Sequence, residues 1–349
     1  MKRLIHTIFS LFISALLLSC AGKPSTQFVR TGLSLLSPQL KKEVQQVAKS
    51  VVGLNADINY EVTQYNYLQQ DGQLVRDPNS PLNYQLNSEN GDAGIILSND
   101  TKTLSGGGLI IKKSLGLEPR YTILTSSHLV APQDTTDIYY LDENGNATDI
   151  LFTRYVVTNV TLSVRGLGNF SSPARLIVHD AINDLAIVTT ETDNTPGIEF
   201  SNSVGYDLDL SWGDWVFLFG YPKSVKQMTG GWISESPYRN TLAVDAVVRF
   251  GYSGGPVFAI TDNAKLAFVG LIKSVPSSTM EYIAPDGTLP HGLRLDKNQT
   301  KHFVVQQKKL VDYGTAYFVH PKTIRRFFKR LRNVLAISNL RLDPKYFGN

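Results

Sequence analysis

The 349-residue chain has a single cysteine, Cys20. One thiol cannot close an intrachain disulfide, nor can it build the multi-thiolate sites that hold structural zinc. The fold must therefore be held by packing and hydrogen bonds, whatever the redox state of its compartment. Histidine is scarce too, at six residues, and His179, His291, His302 and His320 show no ligand spacing among themselves. No metal site and no cofactor are expected. Charged residues make up only 18% of the chain and the formal net charge is +4, which by itself points to no nucleic-acid partner. With 42% hydrophobic residues the composition is that of an ordinary globular protein, against both disorder and a multi-span membrane protein.

What is present begins at the N-terminus. Met1-Lys2-Arg3 is basic, and Leu4 to Leu18 is an apolar stretch too short and too one-sided for a spanning helix. It ends in Leu17-Leu18-Ser19-Cys20, which resembles the bacterial lipobox, where small residues precede a cysteine that is lipidated and becomes the mature N-terminus. The resemblance implies a signal peptide over 1–19 and a lipidated tether over 20–38. It also implies an exported bacterial lipoprotein, anchored in a membrane and facing the periplasm or the cell exterior. Lipidation of Cys20 would leave no free thiol, which excludes a cysteine nucleophile.

Gln39 to Lys49 places Leu40, Val44 and Val47 at helical spacing. Val51 to Tyr67 is β-rich, and Gln69 to Asp92 reads as a polar surface excursion. From Ser105 the chain becomes a run of short strands: Leu109–Lys112, Tyr121–Thr125, Ile138–Leu141, Ile150–Val157, Ala174–Val178, Leu185–Thr190, Trp215–Phe219, Leu242–Val248, Val257–Ile260, Leu266–Ile272 and Ala316–Val319. Asn144-Gly145 is a hairpin signal, because a type I′ turn needs positive φ at both central positions. Many short strands without alternating helices argue for barrels or a sandwich. A helix opened by Pro321 runs to about Ala336, with Ile324, Phe327, Phe328, Leu331 and Leu335 on one face and Arg325, Arg326, Lys329, Arg330 and Arg332 around the other. That basic face reads as solvated, with a membrane-surface role as the alternative.

Three segments carry chemistry. Thr125-Ser126-Ser127-His128-Leu129-Val130 follows an apolar strand, Asn183-Asp184 opens another, and Gly251-Tyr252-Ser253-Gly254-Gly255-Pro256 precedes a third. Serine at its ordinary pKa is a poor nucleophile and needs a neighbouring base, which histidine supplies near neutral pH. The imidazole in turn needs an acceptor on its far side. Glycines around the serine allow a tight turn with amides aimed at a developing oxyanion. Asp180 is the rival for the acid, and the Leu-Ala-Ile-Val run after Asp184 favours Asp184.

In the order His, Asp, Ser these segments resemble the trypsin/chymotrypsin-like serine proteases, and most closely the protease domain of the HtrA/Deg branch. Ser105-Gly106-Gly107-Gly108-Leu109-Ile110-Ile111, Trp212-Gly213-Asp214-Trp215-Val216, Gly220-Tyr221-Pro222, Val244-Asp245-Ala246 and Phe268-Val269-Gly270-Leu271-Ile272 match in type and order. The resemblance implies an all-β double six-stranded barrel with a C-terminal helix. The first barrel, with the N-terminal helix, would occupy 39–203, and the second, with the C-terminal helix, 204–349. It implies a serine endopeptidase acting on protein or peptide substrates, with catalytic His128, Asp184 and Ser253 and an oxyanion hole from the amides of Gly251 and Ser253. Val247, six residues before the nucleophile, would floor the substrate pocket and favour apolar or small side chains. The chain ends soon after its last helix, so no PDZ module is expected. Tyr252 stands where the family usually has Asp or Asn, which argues against activation by a newly cut N-terminus. It also keeps open a catalytically silent binding or scaffold module. Replacing Cys20 with Ser should move the protein from the membrane to the soluble fraction on cell fractionation; retention in the membrane would sink the lipoprotein reading.

Overall fold

The computed structural model describes residues 37–70, 73–88, 94–114, 120–141, 147–166, 171–191, 197–285, 303–338 and 340–348. The signal segment, Cys20, the Asn144-Gly145 turn, His291 and His302 lie outside them. Lys42–Asn349 form one compact unit.

After the helix Pro38–Ala48 come β1 (Val51–Tyr65), β2 (Gln69–Gln70), β3 (Gln73–Leu74), β4 (Ile95–Ser114), β5 (Arg120–Thr125), β6 (Thr135–Leu141), β7 (Ala147–Arg165), β8 (Ser171–Asp180) and β9 (Leu185–Thr190). β1 pairs with β4 on one side and β7 on the other, which closes the ring β1-β4-β5-β9-β8-β7, with β6 added outside β7. Every pairing is antiparallel. Strand periodicity sends Val52, Leu54, Ala56 and Ile58 of β1 inward, where they meet Ile110, Ile123, Val164 and Val188.

The second barrel uses β10 (Trp215–Gly220), β11 (Gln227–Ser234), β12 (Thr241–Asp245), β13 (Pro256–Ile260) and β14 (Leu266–Ser274). A hairpin of β15 (Ser277–Pro285) and β16 (Phe303–Val311) precedes the last strand, β17 (Thr315–Val319). The ring order is β10-β11-β12-β17-β14-β13. Val216, Leu218, Val244, Val257, Val269 and Phe318 fill it. The alternate residues of β10 point out of the barrel and join an aromatic cluster, with Phe219 5.7 Å and Phe200 5.6 Å from the Phe258 ring. The all-β double six-stranded barrel is therefore the fold of this chain. The C-terminal helix spans Pro321–Ile337, capped by His320, whose Nδ1 accepts from the Lys322 N–H at 3.1 Å. It buries Ile324, Phe327, Phe328 and Leu335.

Three stretches depart from the expected elements. The polar stretch before Ser105 is strand from Ile95, paired rung by rung with β1 (Tyr65↔Ile95 through Asn55↔Ser105). β11 was not among the expected strands; its Gly230 admits the Trp215 indole, whose Cζ2 would lie 2.6 Å from a Cβ there. The strand foreseen over Leu242–Val248 ends at Asp245.

Lys226 ties the end of the N-terminal helix to the second barrel. Its Nζ donates to the Ala48 carbonyl at 2.5 Å and lies 5.6 Å from the centre of the Tyr221 ring. Burial lowers its pKa to about 8. Between about pH 8 and the ordinary lysine value of 10.5, the unfolded chain holds a proton here that the folded chain lacks. Stability arising from this residue therefore rises with pH across that window. Lys226→Met should flatten the rise, seen as a smaller gain in denaturation midpoint between pH 8 and pH 10 than in the native protein.

Candidate active site

His128 stands on a single helical turn, Ser127–Val130, at the end of β5, where buried Leu129 and Val130 anchor the turn in the first barrel. Its ring Nδ1 lies 2.8 Å from Asp184 Oδ2 and 3.0 Å from Oδ1. The His128 backbone N–H also donates to Asp184 Oδ1, at 2.9 Å. A carboxylate only accepts, so Nδ1 carries a proton, and in the neutral imidazole Nε2 is then the nitrogen with the lone pair. Asp184 is buried and sits at φ +57°, a left-handed position that costs about 1–2 kcal/mol for a non-glycine residue and that Asp tolerates better than most. The turn that enforces it is built by the rival acid. Asp180 accepts from the Asn183 backbone N–H (3.1 Å) and side-chain Nδ2 (2.8 Å), and also from the Arg330 guanidinium of the C-terminal helix.

Ser253 lies in the turn between β12 and β13. Gly251 at φ +103° and Gly254 at φ +72° take conformations that side chains disfavour. The Ser253 carbonyl accepts from the Gly107 N–H of β4 at 2.8 Å, and the Gly254 N–H donates to the Ile272 carbonyl at 2.8 Å. The Gly251 carbonyl accepts from the Tyr221 N–H at 2.7 Å. Among the described residues, neither the Gly251 nor the Ser253 N–H donates to a backbone carbonyl. The glycine run of β4 is a steric necessity here: a Cβ on Gly106 would lie 2.5 Å from the Ser253 carbonyl oxygen, and one on Gly107 2.8 Å from Gly255 Cα.

His128, Gly251 and Ser253 line one cavity of about 630 Å3, while Asp184 supports His128 from behind. Tyr252 turns its ring into the second barrel, 4% exposed, among Val216, Leu218, Val244 and Val257. Burial pushes its phenol pKa up. Room for the ring comes from Gly220, where a Cβ would meet Tyr252 Cγ at 2.5 Å. Val247 does not floor the cavity: it is 61% exposed and not part of the lining. Its neighbours Ala246 and Val248 are the buried ones, and Val247 faces outward between them. The apolar lining comes instead from Leu104, Phe250, Ile272, Val275 and Val311. Two buried side chains unassigned from the sequence hold the seam, Thr125 within the first barrel and Ser126 across to the second. Thr125 Oγ1 donates to the Gly107 carbonyl at 2.8 Å, and Ser126 Oγ to that of Ile272 at 3.2 Å. Their signal was the polar Thr-Ser-Ser lead directly after an apolar strand.

Residues 106–271, the span from the β4 glycines to β14, match the family model of the trypsin-like peptidase domain. The chain carries a trypsin-like peptidase domain. Among solved structures, the domain is similar to the HtrA-type protease AlgW with a decapeptide. For a serine-to-alanine form the identity is 16%, over 85% of this chain and 67% of that chain, with a TM-score of 0.48. For AlgW itself it is 15%, over 86% and 68%, with a TM-score of 0.44. No curated protein matches the sequence significantly. The peptidase domain should be sensitive where Tyr252 packs. Gly220→Ala places a methyl against the ring and should cost roughly 1–3 kcal/mol, measurable as a midpoint shift of several degrees in thermal unfolding.

Proposed function

We propose that the chain is a serine endopeptidase in which Ser253 attacks the scissile carbonyl, His128 acts as general base and Asp184 orients the imidazole. The observation that carries this reading is the His128 Nδ1–Asp184 Oδ2 contact of 2.8 Å beside a cavity that His128 shares with Ser253. His128 Nε2 takes the Ser253 hydroxyl proton as the Oγ–carbon bond forms, and the imidazolium is stabilised by the Asp184 carboxylate. The same proton then passes to the leaving amine, giving an acyl-enzyme that water hydrolyses by the reverse relay. The Gly251 and Ser253 amides, which serve no backbone carbonyl among the described residues, are the donors for the oxyanion. Each donor of this kind is worth about 3–4 kcal/mol where tested. A silent binding module had Tyr252 as its motive, and the burial of that ring in the barrel removes the motive. The N-terminal lipobox resemblance supports action on proteins outside the cytoplasm from a membrane tether.

An active-site-directed fluorophosphonate should label the native protein and not Ser253→Ala. A folded native protein that takes no Ser253-dependent label would refute the enzyme reading. Asp184→Asn should keep the fold but lower kcat by roughly 10^4, because the amide holds the imidazole in the wrong tautomer.

A further inference from the structure

The cavity that holds His128 and Ser253 is lined by three cationic side chains, Lys223, Arg249 and Lys273, and among the described residues by no Asp or Glu. Composition does not account for this, since the chain has 34 Lys and Arg against 30 Asp and Glu. The three residues come from separate elements: Lys223 from the turn after β10, Arg249 from the nucleophile loop, and Lys273 from the end of β14. Among the described residues none of them forms an ion pair, whereas Arg154, Arg325 and Arg330 each have an Asp. Lys223 is also held in place at a conformational cost. It and Ser224 both have left-handed backbones, at φ +52° and +62°. Such positions cost of order 1–3 kcal/mol each for non-glycine residues and persist where the surroundings impose them. The surroundings here are the nucleophile turn itself. Pro222 packs so closely on Gly251 that a Cβ there would lie 2.6 Å from Pro222 Cα, and Tyr221 N–H bonds the Gly251 carbonyl at 2.7 Å. Beside the cations stands Phe250, an apolar side chain 71% exposed.

We propose that this cleft selects its substrates by a carboxylate, seated next to an apolar residue and close to the cleaved bond. The proposal rests on the reading of Ser253 as nucleophile and names the substrate class of that site. Three like charges around one concave surface repel one another and focus a positive potential into it. A bound carboxylate relieves that repulsion, and a substrate lysine or arginine adds to it. The selection is thus opposite in sign to that of a pocket floored by an acid. The carboxylate is supplied either by an Asp or Glu side chain or by the free C-terminus of the substrate.

The test uses the folded full chain and fluorogenic peptides with one apolar core, carrying Glu, Gln or Lys at the positions flanking the cleaved bond. Each peptide is made with a free-acid and an amidated C-terminus. The Glu peptide should be cleaved with a kcat/KM about tenfold above the Gln peptide, with the Lys peptide lowest. The ratio should shrink to twofold or less in about 0.5 M salt, because exposed cations are screened there. Lys273→Glu and Lys223→Glu should each lower the Glu-to-Gln ratio, and the two together should invert it. A gain confined to free-acid peptides assigns the site to a C-terminal carboxylate, and a gain in both forms assigns it to a side chain. Equal cleavage of Glu and Gln peptides in both forms, or a preference that survives both charge reversals, overturns the proposal. Fluorophosphonate labelling separates the two failures. Ser253-dependent labelling without acid preference removes this inference alone, and absence of labelling removes the function beneath it.

Discussion

One hydrogen bond organises the site: the Gly107 N–H of the first barrel on the Ser253 carbonyl of the second, at 2.8 Å. It forms only because neither side carries a Cβ where the two backbones meet. Gly106 and Gly107 contribute from β4, and Gly254 and Gly255 from the turn that carries Ser253; a Cβ on Gly254 would lie 2.3 Å from Thr125 Oγ1. Thr125 then bonds the Gly107 carbonyl, and Ser126 bonds the carbonyl of Ile272, which in turn accepts from Gly254. The barrels are thus joined through backbone polar groups satisfied by one another, at the place where His128 follows directly in sequence. Hydrogen bonds of this kind are worth about 1 kcal/mol net, but leaving one partner unmade in a buried seam costs more. The seam is accordingly sensitive to any substitution that widens it.

The acid arm depends on a second constraint. Asp184 reaches His128 from a left-handed backbone, and that conformation is sustained by Asp180, which caps the same turn through Asn183 and takes Arg330 from the C-terminal helix. The helix that closes the chain therefore bears on the orientation of the imidazole through two carboxylates four residues apart, one building the turn and one using it.

Much of this was readable in the sequence, for physical reasons. His128, Asp184 and Ser253 each adjoin a short apolar strand, so their places at strand ends followed from periodicity, and their chain order carried the family resemblance. Less was readable where the signal depends on a partner. The Ile95–Ser105 half of β4 has polar residues on its outer face, where Asn55, Asp57 and Asn59 of β1 meet Ser105, Thr103 and Thr101 across the sheet. Val247 was assigned by counting back from the serine, but regular strand ends at Asp245 and the count loses its phase there. The ring of Tyr252 had no assignable place until Gly220, some thirty residues earlier, appeared beneath it. The cations of the cleft share no motif at all, since only the folded chain makes them neighbours.

The placement of Tyr252 ties the timing of any chemistry at the neighbouring serine to that of folding. Ser253 is flanked on its N-terminal side by a residue that belongs to the hydrophobic centre of the second barrel, and on its C-terminal side by glycines that dock on the first. On the reading that Ser253 is the nucleophile, its geometry exists only after one barrel has packed and the other has arrived. A chain still in transit or half assembled would be inert without any inhibitory segment, and the first loosening of that barrel on heating would silence it before the rest of the molecule melts.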